Sequence, residues 1–475
     1  MTDIFRVIVG WILFVSVVGC SSVFSRLHKA EETLGTDAGQ AEQFHALVYY
    51  PQEHALRYPG LIVGIEKSSA KLIKEEAKNL LIQSSSSNSE SEKTDNWLVR
   101  LLKDDFKSMF ISHVVDSSKV DSPTLAYDAY KCKTESTEGE EKTICPVDSW
   151  KAVTQLGEIL RTAFGPTNTG EAPYTHLIFL TMGWNTNQVE AVQNFNSLVR
   201  ELSANAAKET FRPFVVGVTW PSQWDSGWFG NVYRGSSLGN KANDADEIGA
   251  GWLGAVLRYG VLPATRASKV KVIVIGHSFG ARATSHAVCR GTLLVPPSTL
   301  SIDSGMPMKG DVQWLIGLQG AYSLNRFSTE GAGLFERIGY DPKCEVADNH
   351  LFTASKHDSA GKYSYQVLGA PFAGSIGTWN KFLTDPNSRK DGSPSFDLYK
   401  TRHVKEDNDA SVCRQGAAGS DTTSFKYVDA SEVIKFKSYG TGAGAHSDIY
   451  REQTAKLMWT FLSGEEIKPC GESSQ

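Results

Sequence analysis

Residues 272–280 have the sequence VIVIGHSFG, in which an apolar run ends in the pattern Gly-x-Ser-x-Gly. The apolar run predicts a buried strand, and the alanine-rich segment 281–287 that follows predicts a helix packed closely on a sheet. A serine on a sharp strand-to-helix turn holds its hydroxyl clear of the sheet, and side chains two positions away on either side would collide with the strand or the helix. Gly276 and Gly280 occupy those two positions. The pattern therefore predicts that Ser278 is a nucleophile.

This strand, turn and helix resemble the nucleophile elbow of the α/β-hydrolase superfamily of serine esterases and lipases, and the similarity extends from near Trp150 to near Gly464. The resemblance implies an α/β fold with a mostly parallel central sheet and helices on both faces. It also implies the chain order Ser, then Asp or Glu, then His for the catalytic residues, and no cofactor. Strand-like runs that alternate with helical patterns favour the same fold class.

A serine hydroxyl is a poor nucleophile at neutral pH and needs an imidazole to accept its proton. Four histidines follow Ser278 with room for an intervening acid: His350, His357, His403 and His446. His446 is the best placed, because it follows a strand-like run at 432–436 and a glycine-rich loop, and it begins a helical pattern. A histidine between the last strand and the last helix is where the resemblance places the base.

The carboxylate that orients the imidazole is predicted to be Asp358. Residues 351–355 have the composition of a short strand, and Asp358 lies in the loop after it. Catalytic groups in open α/β sheets come from loops at the carboxyl ends of strands. Asp341, which precedes a proline, and Asp348, which precedes the strand, are the alternatives.

An acyl-transfer site also needs two backbone N–H groups that face the developing oxyanion. The resemblance assigns one to Phe279, the residue after the nucleophile, and the other to the loop after the strand-like run 175–180. We assign the second donor to Trp184. Met182 stands where many relatives carry a histidine, which leaves the donor in place but alters how the loop is held.

The chain divides by composition into three parts. Residues 1–19 are expected to form a signal peptide, residues 20–149 a partly flexible N-terminal extension, and residues 150–475 the hydrolase domain. An insertion at about 371–428, before the last strand, is expected to be either a lid over the site or a surface excursion.

The N-terminus has the composition of an export signal. Arg6 precedes an uncharged apolar run at 7–19, which is short for a membrane-spanning helix. The run ends in small residues followed by Cys20, a pattern that resembles the lipobox of bacterial lipoproteins, although Val17 replaces the usual leucine. The resemblance implies cleavage before Cys20 and attachment of diacylglycerol, and Ser21 then implies an outer-membrane lipoprotein facing the periplasm. An uncleaved anchor and an ordinary signal peptide remain the alternatives.

Composition sets broader bounds on function. The 475 residues carry a net charge of −5 with mixed signs and no basic stripe, which gives no indication of a nucleic-acid partner. Of the seven cysteines, Cys132 and Cys145 are the expected local disulfide pair, and Cys289 is expected to be buried in the helix after the elbow. No cysteine has metal-ligand spacing with a histidine, so no metal site is expected.

These features together predict a serine hydrolase that cleaves carboxylic esters through an acyl-enzyme and is held in the cell envelope by a lipid anchor. The expected partners are an ester or lipid-like small molecule and the membrane. Two other functions remain open: an acyltransferase that uses the same groups, and an envelope lipoprotein that uses an inactive hydrolase fold for binding. The oligomeric state is not indicated.

Overall fold

A computed structural model describes most of the chain from residue 55 onward. The described residues are 55–67, 81–82, 109–129, 133–137, 140–144, 148–165, 173–184, 186–206, 210–222, 238–300, 307–328, 339–360, 371–384, 393–403, 410–415, 424–437 and 443–471. The signal sequence, Cys20 and the expected pair Cys132 and Cys145 lie outside these residues.

The core of the fold is an eleven-stranded mixed sheet in the order β14-β13-β15-β12-β11-β9-β7-β8-β1-β3-β4. Its strands are β1 Gly60–Lys67, β3 Met109–Asp116, β4 Thr124–Asp128, β7 His176–Thr181, β8 Pro213–Thr219, β9 Lys271–His277, β11 Val312–Leu318, β12 Ala347–Ala354, β13 Asp397–His403, β14 Ala410–Arg414 and β15 Phe425–Asp429. The run from β13 to β1 in this order is parallel throughout, and antiparallel strands lie at both edges. Two short pairs stand apart from this sheet: β2 Leu81–Ile82 with β10 Leu294–Val295, and β5 Lys133–Thr137 with β6 Glu140–Ile144.

Helices alternate with the strands from residue 149 onward. They are α1 Ser149–Phe164, α2 Gln188–Asn205, α3 Leu238–Ala250, α4 Trp252–Ala255, a π-helical turn Val256–Val261, α5 Leu262–Ser268, α6 Phe279–Cys289, a 3-10 turn Leu324–Phe327, α7 Ile376–Thr384 and α8 Glu452–Leu462. The predicted α/β class with a mostly parallel sheet is therefore confirmed.

Helices cover the sheet on both faces. The ring of Phe214 in β8 packs against Phe164 of α1, with centroids 5.4 Å apart. A Cβ on Gly217 of the same strand would instead lie 2.7 Å from the ring of Phe195 in α2. Positions 214 and 217 differ by an odd number and so point to opposite faces. The near-continuous burial of the central strands follows from this double cover.

The sheet also contains strands from before residue 150, where the sequence pattern placed the start of the hydrolase domain. Strand β1 pairs in parallel with β8, and Gly60 lies opposite Val215. Strands β3 and β4 extend the same edge. Part of the segment 20–149 is thus an integral edge of the central sheet.

The prediction of a strand at 432–436 is wrong. The last parallel strand is β15, and the chain turns directly after it, because the amides of Val433 and Ile434 both donate to the carbonyl of Ala430. The amides of Lys435 and Phe436 donate to the Asp448 carboxylate rather than to a neighbouring strand. The segment 371–428 accordingly contributes β13, β14 and most of β15 to the sheet.

Two disulfides tie distant segments together. Cys289 at the end of α6 is bonded to Cys344, and Cys413 in β14 is bonded to Cys470 near the C-terminus. Cys289 is buried, as expected, and it is also cross-linked. Across the described residues, no helix has both the length and the apolar composition needed to cross a bilayer.

Candidate active site

Ser278 lies in a strained backbone turn between β9 and α6. Its φ of 54° and ψ of −122° fall in a region that side-chain-bearing residues rarely adopt. The two flanking glycines are required by close approach, because a Cβ on Gly276 would lie 2.5 Å from the Cα of Ala281. A Cβ on Gly280 would lie 2.3 Å from the carbonyl oxygen of Met182. The geometry is that of a nucleophile elbow.

Asp358 and His446 form the second part of the candidate site. The Oδ2 of Asp358 lies 2.8 Å from the Nδ1 of His446, and the Asp358 carboxylate is buried. Backbone hydrogen bonds hold the two loops together, from Ser359 N–H to the Ala443 carbonyl and from Ala445 N–H to the His357 carbonyl. An aspartate held in this way fixes the orientation of the imidazole and makes Nε2 the ring atom that can accept a proton.

The imidazole of His446 lies beside the elbow. Its ring centroid is 4.8 Å from that of His277, the residue before the nucleophile. The Nε2 of His277 lies 2.9 Å from the carbonyl oxygen of His446. Ser278 and His446 are not themselves hydrogen-bonded in this structure. Catalytic hydrogen bonds are often long in unliganded sites and form fully in the substrate complex.

His277 is electrically neutral at physiological pH. Its burial, aided by the neighbouring His446, lowers its pKa to about 3. Because the His446 carbonyl can only accept a hydrogen bond, Nε2 of His277 carries the proton and Nδ1 carries the lone pair.

The loop after β7 lies against the nucleophile. A Cβ on Gly183 would lie 3.1 Å from the Cβ of Ser278, so this loop approaches the elbow closely. Phe279 is the first residue of α6, where the backbone N–H has no acceptor within the helix. The ring of Trp184 packs edge-on against Phe279, with centroids 6.5 Å apart. The two residues assigned to the oxyanion hole are therefore neighbours.

The structure also shows how this loop, which begins at Met182, is held. Met182 is buried, and its carbonyl accepts a 2.9 Å hydrogen bond from the Nε1 of Trp220. Ser222 bonds both the N–H and the carbonyl of Thr186, at 3.2 and 2.8 Å. The segment after β8 thus anchors the loop at both ends.

Gln319 is a site residue that the sequence pattern did not indicate. Its Nε2 donates a 2.9 Å hydrogen bond to the Oδ2 of Asp358, the same oxygen that meets His446. Thr353 holds the Gln319 side chain by donating to its Oε1 at 3.0 Å. A signal was present, because Gln319 directly follows β11 at the carboxyl edge of the sheet. Its positive φ of 48° has no counterpart in the sequence pattern.

His357 directly precedes Asp358 and is partly exposed, and the remaining candidate residues lie away from this cluster. His350 is fully buried in β12 and stacks on Phe425 with centroids 4.0 Å apart. His403 is exposed on β13. Asp341 and Asp348 are exposed, and Asp348 lies at the start of β12, at the opposite edge of the sheet from Asp358.

One group of possible metal ligands occurs among the described residues. The sulfurs of Cys289 and Cys344 and a ring nitrogen of His350 lie within 4.8 Å of one another. The two sulfurs are joined in a disulfide, so they are not thiolate ligands in this structure.

Comparison with known proteins adds no relative to these observations. No protein-family model matches the chain, and neither a curated protein nor a solved structure matches it. The class that fold and site define is an α/β protein with a nucleophile-elbow serine at the carboxyl edge of a mostly parallel sheet.

Proposed function

We propose that this protein has the α/β-hydrolase fold and is a serine hydrolase that cleaves carboxylic esters through an acyl-enzyme. The observation that carries the proposal is the convergence of a strained serine with a carboxylate and imidazole pair. Ser278 has a φ of 54°, and the imidazole of His446, which bonds Asp358, lies 4.8 Å from the ring of His277, the residue before Ser278. Strained non-glycine residues at such turns cluster at active sites.

In the proposed reaction, the Oγ of Ser278 attacks the ester carbonyl while Nε2 of His446 accepts its proton. The backbone N–H groups of Phe279 and Trp184 stabilise the negative charge on the carbonyl oxygen. The leaving alcohol receives the proton from His446 as its bond to the acyl carbon breaks. A water molecule, deprotonated by the same imidazole, then attacks the acyl carbon. The bond from that carbon to the Oγ of Ser278 breaks, Oγ takes the proton back from His446, and the acid is released. Asp358 keeps His446 in the required tautomer throughout.

The test is labelling with a fluorophosphonate probe, which reacts covalently with activated serines. We expect wild-type protein to be labelled at Ser278 and the Ser278→Ala variant to be unlabelled. Ser285→Ala is the matched control, because Ser285 lies on the same helix and is buried, but it hydrogen-bonds Tyr340 rather than the candidate site. If the Ser278→Ala variant is still labelled, Ser278 is not the nucleophile.

A binding protein with an inactive hydrolase fold is the second candidate, and Met182, which stands where the resemblance places a histidine in the loop after β7, favours it. Hydrolysis of short p-nitrophenyl esters by the chain after Cys20 would argue against it. Adding an alcohol acceptor separates hydrolysis from acyl transfer: an acyltransferase forms the new ester, whereas a hydrolase forms the free acid.

We also propose that Cys20 carries a lipid anchor and places the protein in the bacterial outer membrane, facing the periplasm. The support is the sequence pattern, since Cys20 lies outside the described residues. Expression in a Gram-negative host with radiolabelled palmitate tests the proposal. We expect labelled protein in the outer-membrane fraction and no label in Cys20→Ser. Equal labelling of the two proteins would contradict it.

A further inference from the structure

One imidazole contacts three parts of the candidate site. His277 ends β9 and is joined to Ser278 by a peptide bond. Its Nδ1 edge faces the loop after β7 so closely that a Cβ on Gly183 would lie 2.8 Å away. Its Nε2 edge lies 2.9 Å from the carbonyl oxygen of His446. The ring therefore lies between the oxyanion loop and the loop that carries the base.

The position of His446 depends on few contacts. Its side chain is hydrogen-bonded through Nδ1 to Asp358, and its own N–H makes a long 3.4 Å bond to the Ala443 carbonyl. Its carbonyl accepts the bond from His277. The His446 ring therefore has little freedom to rotate, because its backbone is held at the carbonyl and its side chain at Nδ1.

We propose that His277 is a positioning residue. Its Nε2–H holds the His446 backbone so that the base faces Ser278, and its ring sets the distance between the oxyanion loop and the loop that carries His446. This inference rests on the proposed hydrolase function. His277 touches neither substrate nor the reacting atoms in this scheme, and it acts through His446 and Gly183.

The charge of His277 fits this role. His446 becomes cationic when it accepts the serine proton, and a second cation 4.8 Å away would oppose that step. The titratable groups that face the His277 ring are His446, the Asp358 carboxylate and Tyr450, whose ring lies edge-on at 6.1 Å. Burial raises the pKa of Tyr450, so its phenol stays neutral, and burial of His277 outweighs the Asp358 carboxylate. His277 therefore remains neutral while His446 cycles, and it keeps its single proton on Nε2.

The matched variants His277→Gln and His277→Asn test the proposal. A glutamine amide nitrogen can reach the position of Nε2, whereas an asparagine amide reaches only that of Nδ1, and both variants bury a polar amide. We expect the kcat for a p-nitrophenyl ester and the rate of fluorophosphonate labelling to fall about tenfold or more in His277→Asn. His277→Gln should stay within about threefold of wild type, with KM unchanged in both, and exposed His403→Gln is the control.

Equal activities of the Gln and Asn variants, whether both high or both low, would overturn the proposal. A second measurement uses the wild-type protein, so it does not depend on a variant that folds. Nitrogen NMR of histidine-labelled protein should show His277 as the neutral Nε2–H form from pH 5 to pH 8. A proton on Nδ1, or a charged ring in this range, would also overturn it. The Ser278→Ala labelling experiment decides the proposed function separately.

Discussion

At the residue scale, the backbone conformation of Ser278 affects the stability of the fold, whereas its hydroxyl is the group proposed to react. A non-glycine residue in this region of φ and ψ costs about 1–3 kcal/mol, which the surrounding structure must offset. The close contacts at Gly276 and Gly280 prevent the turn from relaxing. The strain is therefore a property of the backbone position and is independent of the hydroxyl.

We predict that Ser278→Gly raises the free energy of unfolding by about 1 kcal/mol, because glycine adopts this conformation without strain but adds entropy to the unfolded chain. Chemical denaturation measures the change. Fluorophosphonate labelling should be lost. Ser278→Ala is the control, because alanine retains the Cβ and should lose labelling without the gain in stability. A glycine variant less stable than the alanine variant would contradict the prediction.

Gln319 gives a second prediction at this scale. Replacing it with the similarly shaped Met removes the amide that donates to Asp358 Oδ2. Hydrogen bonds to charged groups contribute about 1.5–3 kcal/mol, so we expect kcat to fall by roughly 10- to 100-fold. Gln313→Met, at the other end of β11, is the control and should retain wild-type kcat. A kcat for Gln319→Met within twofold of the control would count against this role.

How far the sequence predicts the site depends on the kind of signal each residue carries. Ser278 is marked by a local pattern, and Asp358 and His446 by their order and their place after strand-like runs. Gln319 could not be selected in this way, because its contact with Asp358 joins residues 39 apart in sequence and its left-handed backbone conformation is one that glutamine rarely adopts. The contact between His277 and the His446 carbonyl joins residues far apart in sequence, and nothing local indicates it.

At the element scale, the loop after β7 is held by a side chain from the next strand in the sheet. Trp220 directly follows β8 and is almost fully buried, and its indole N–H meets the Met182 carbonyl. This bond is one of the contacts that hold the loop. The loop and β8 should consequently respond together to substitution.

We predict that Trp220→Phe lowers the free energy of unfolding by about 2 kcal/mol, because a buried carbonyl loses its donor and a gap is left. The rate of fluorophosphonate labelling per folded molecule should also fall. Trp379→Phe is a matched control. Trp379 lies on α7 and is also buried, and its indole N–H donates to the Tyr427 carbonyl at 3.2 Å. The control should lose stability but not labelling rate; equal labelling rates in both variants would contradict the prediction.

Element boundaries were predictable where the sequence is strongly apolar and less so elsewhere. The runs that form β7, β8, β9 and β11 are continuous and match the structure. The run 432–436 has a similar composition but forms a turn, because Ala430 and Asp448 accept its backbone N–H groups. Strand β15 was not predicted, because it follows a polar segment and is defined by its pairing with β12.

At the scale of the whole molecule, strands β1, β3 and β4, which precede residue 129, complete one side of the sheet. Their pairing partners are β8 and one another, and β1 is separated from β8 by about 150 residues of sequence, so periodicity cannot reveal the pairing. The domain boundary expected near 150 reflects this limit. Among the described residues before α1, strands β1, β3 and β4 are part of the sheet that carries the site.

The buried histidines make a prediction for the whole molecule. Burial lowers the pKa of His277, His286 and His350 to about 3 in the folded state. In the unfolded chain they return to about 6.5, so the unfolded state takes up protons first as the pH falls. Each should remove about 1 kcal/mol of stability between pH 7 and pH 5.5.

The measurement is urea denaturation across this pH range in wild type and in His350→Phe, where the ring stack on Phe425 is retained. The variant should lose less stability with acid, by about 1 kcal/mol. Exposed His403→Gln should follow the wild-type curve. A His350→Phe curve parallel to wild type would show that His350 is not neutral in the folded protein.

The place of β9 in the strand order has a consequence for motion. It is the sixth of the eleven strands, with five on each side. Opening of a sheet starts at its borders, so the amides of β9 should be among the slowest in the molecule to exchange with deuterium. Heat or denaturant that frays the outer strands would then leave the serine turn intact, and probe labelling would outlast the loss of the peripheral strands.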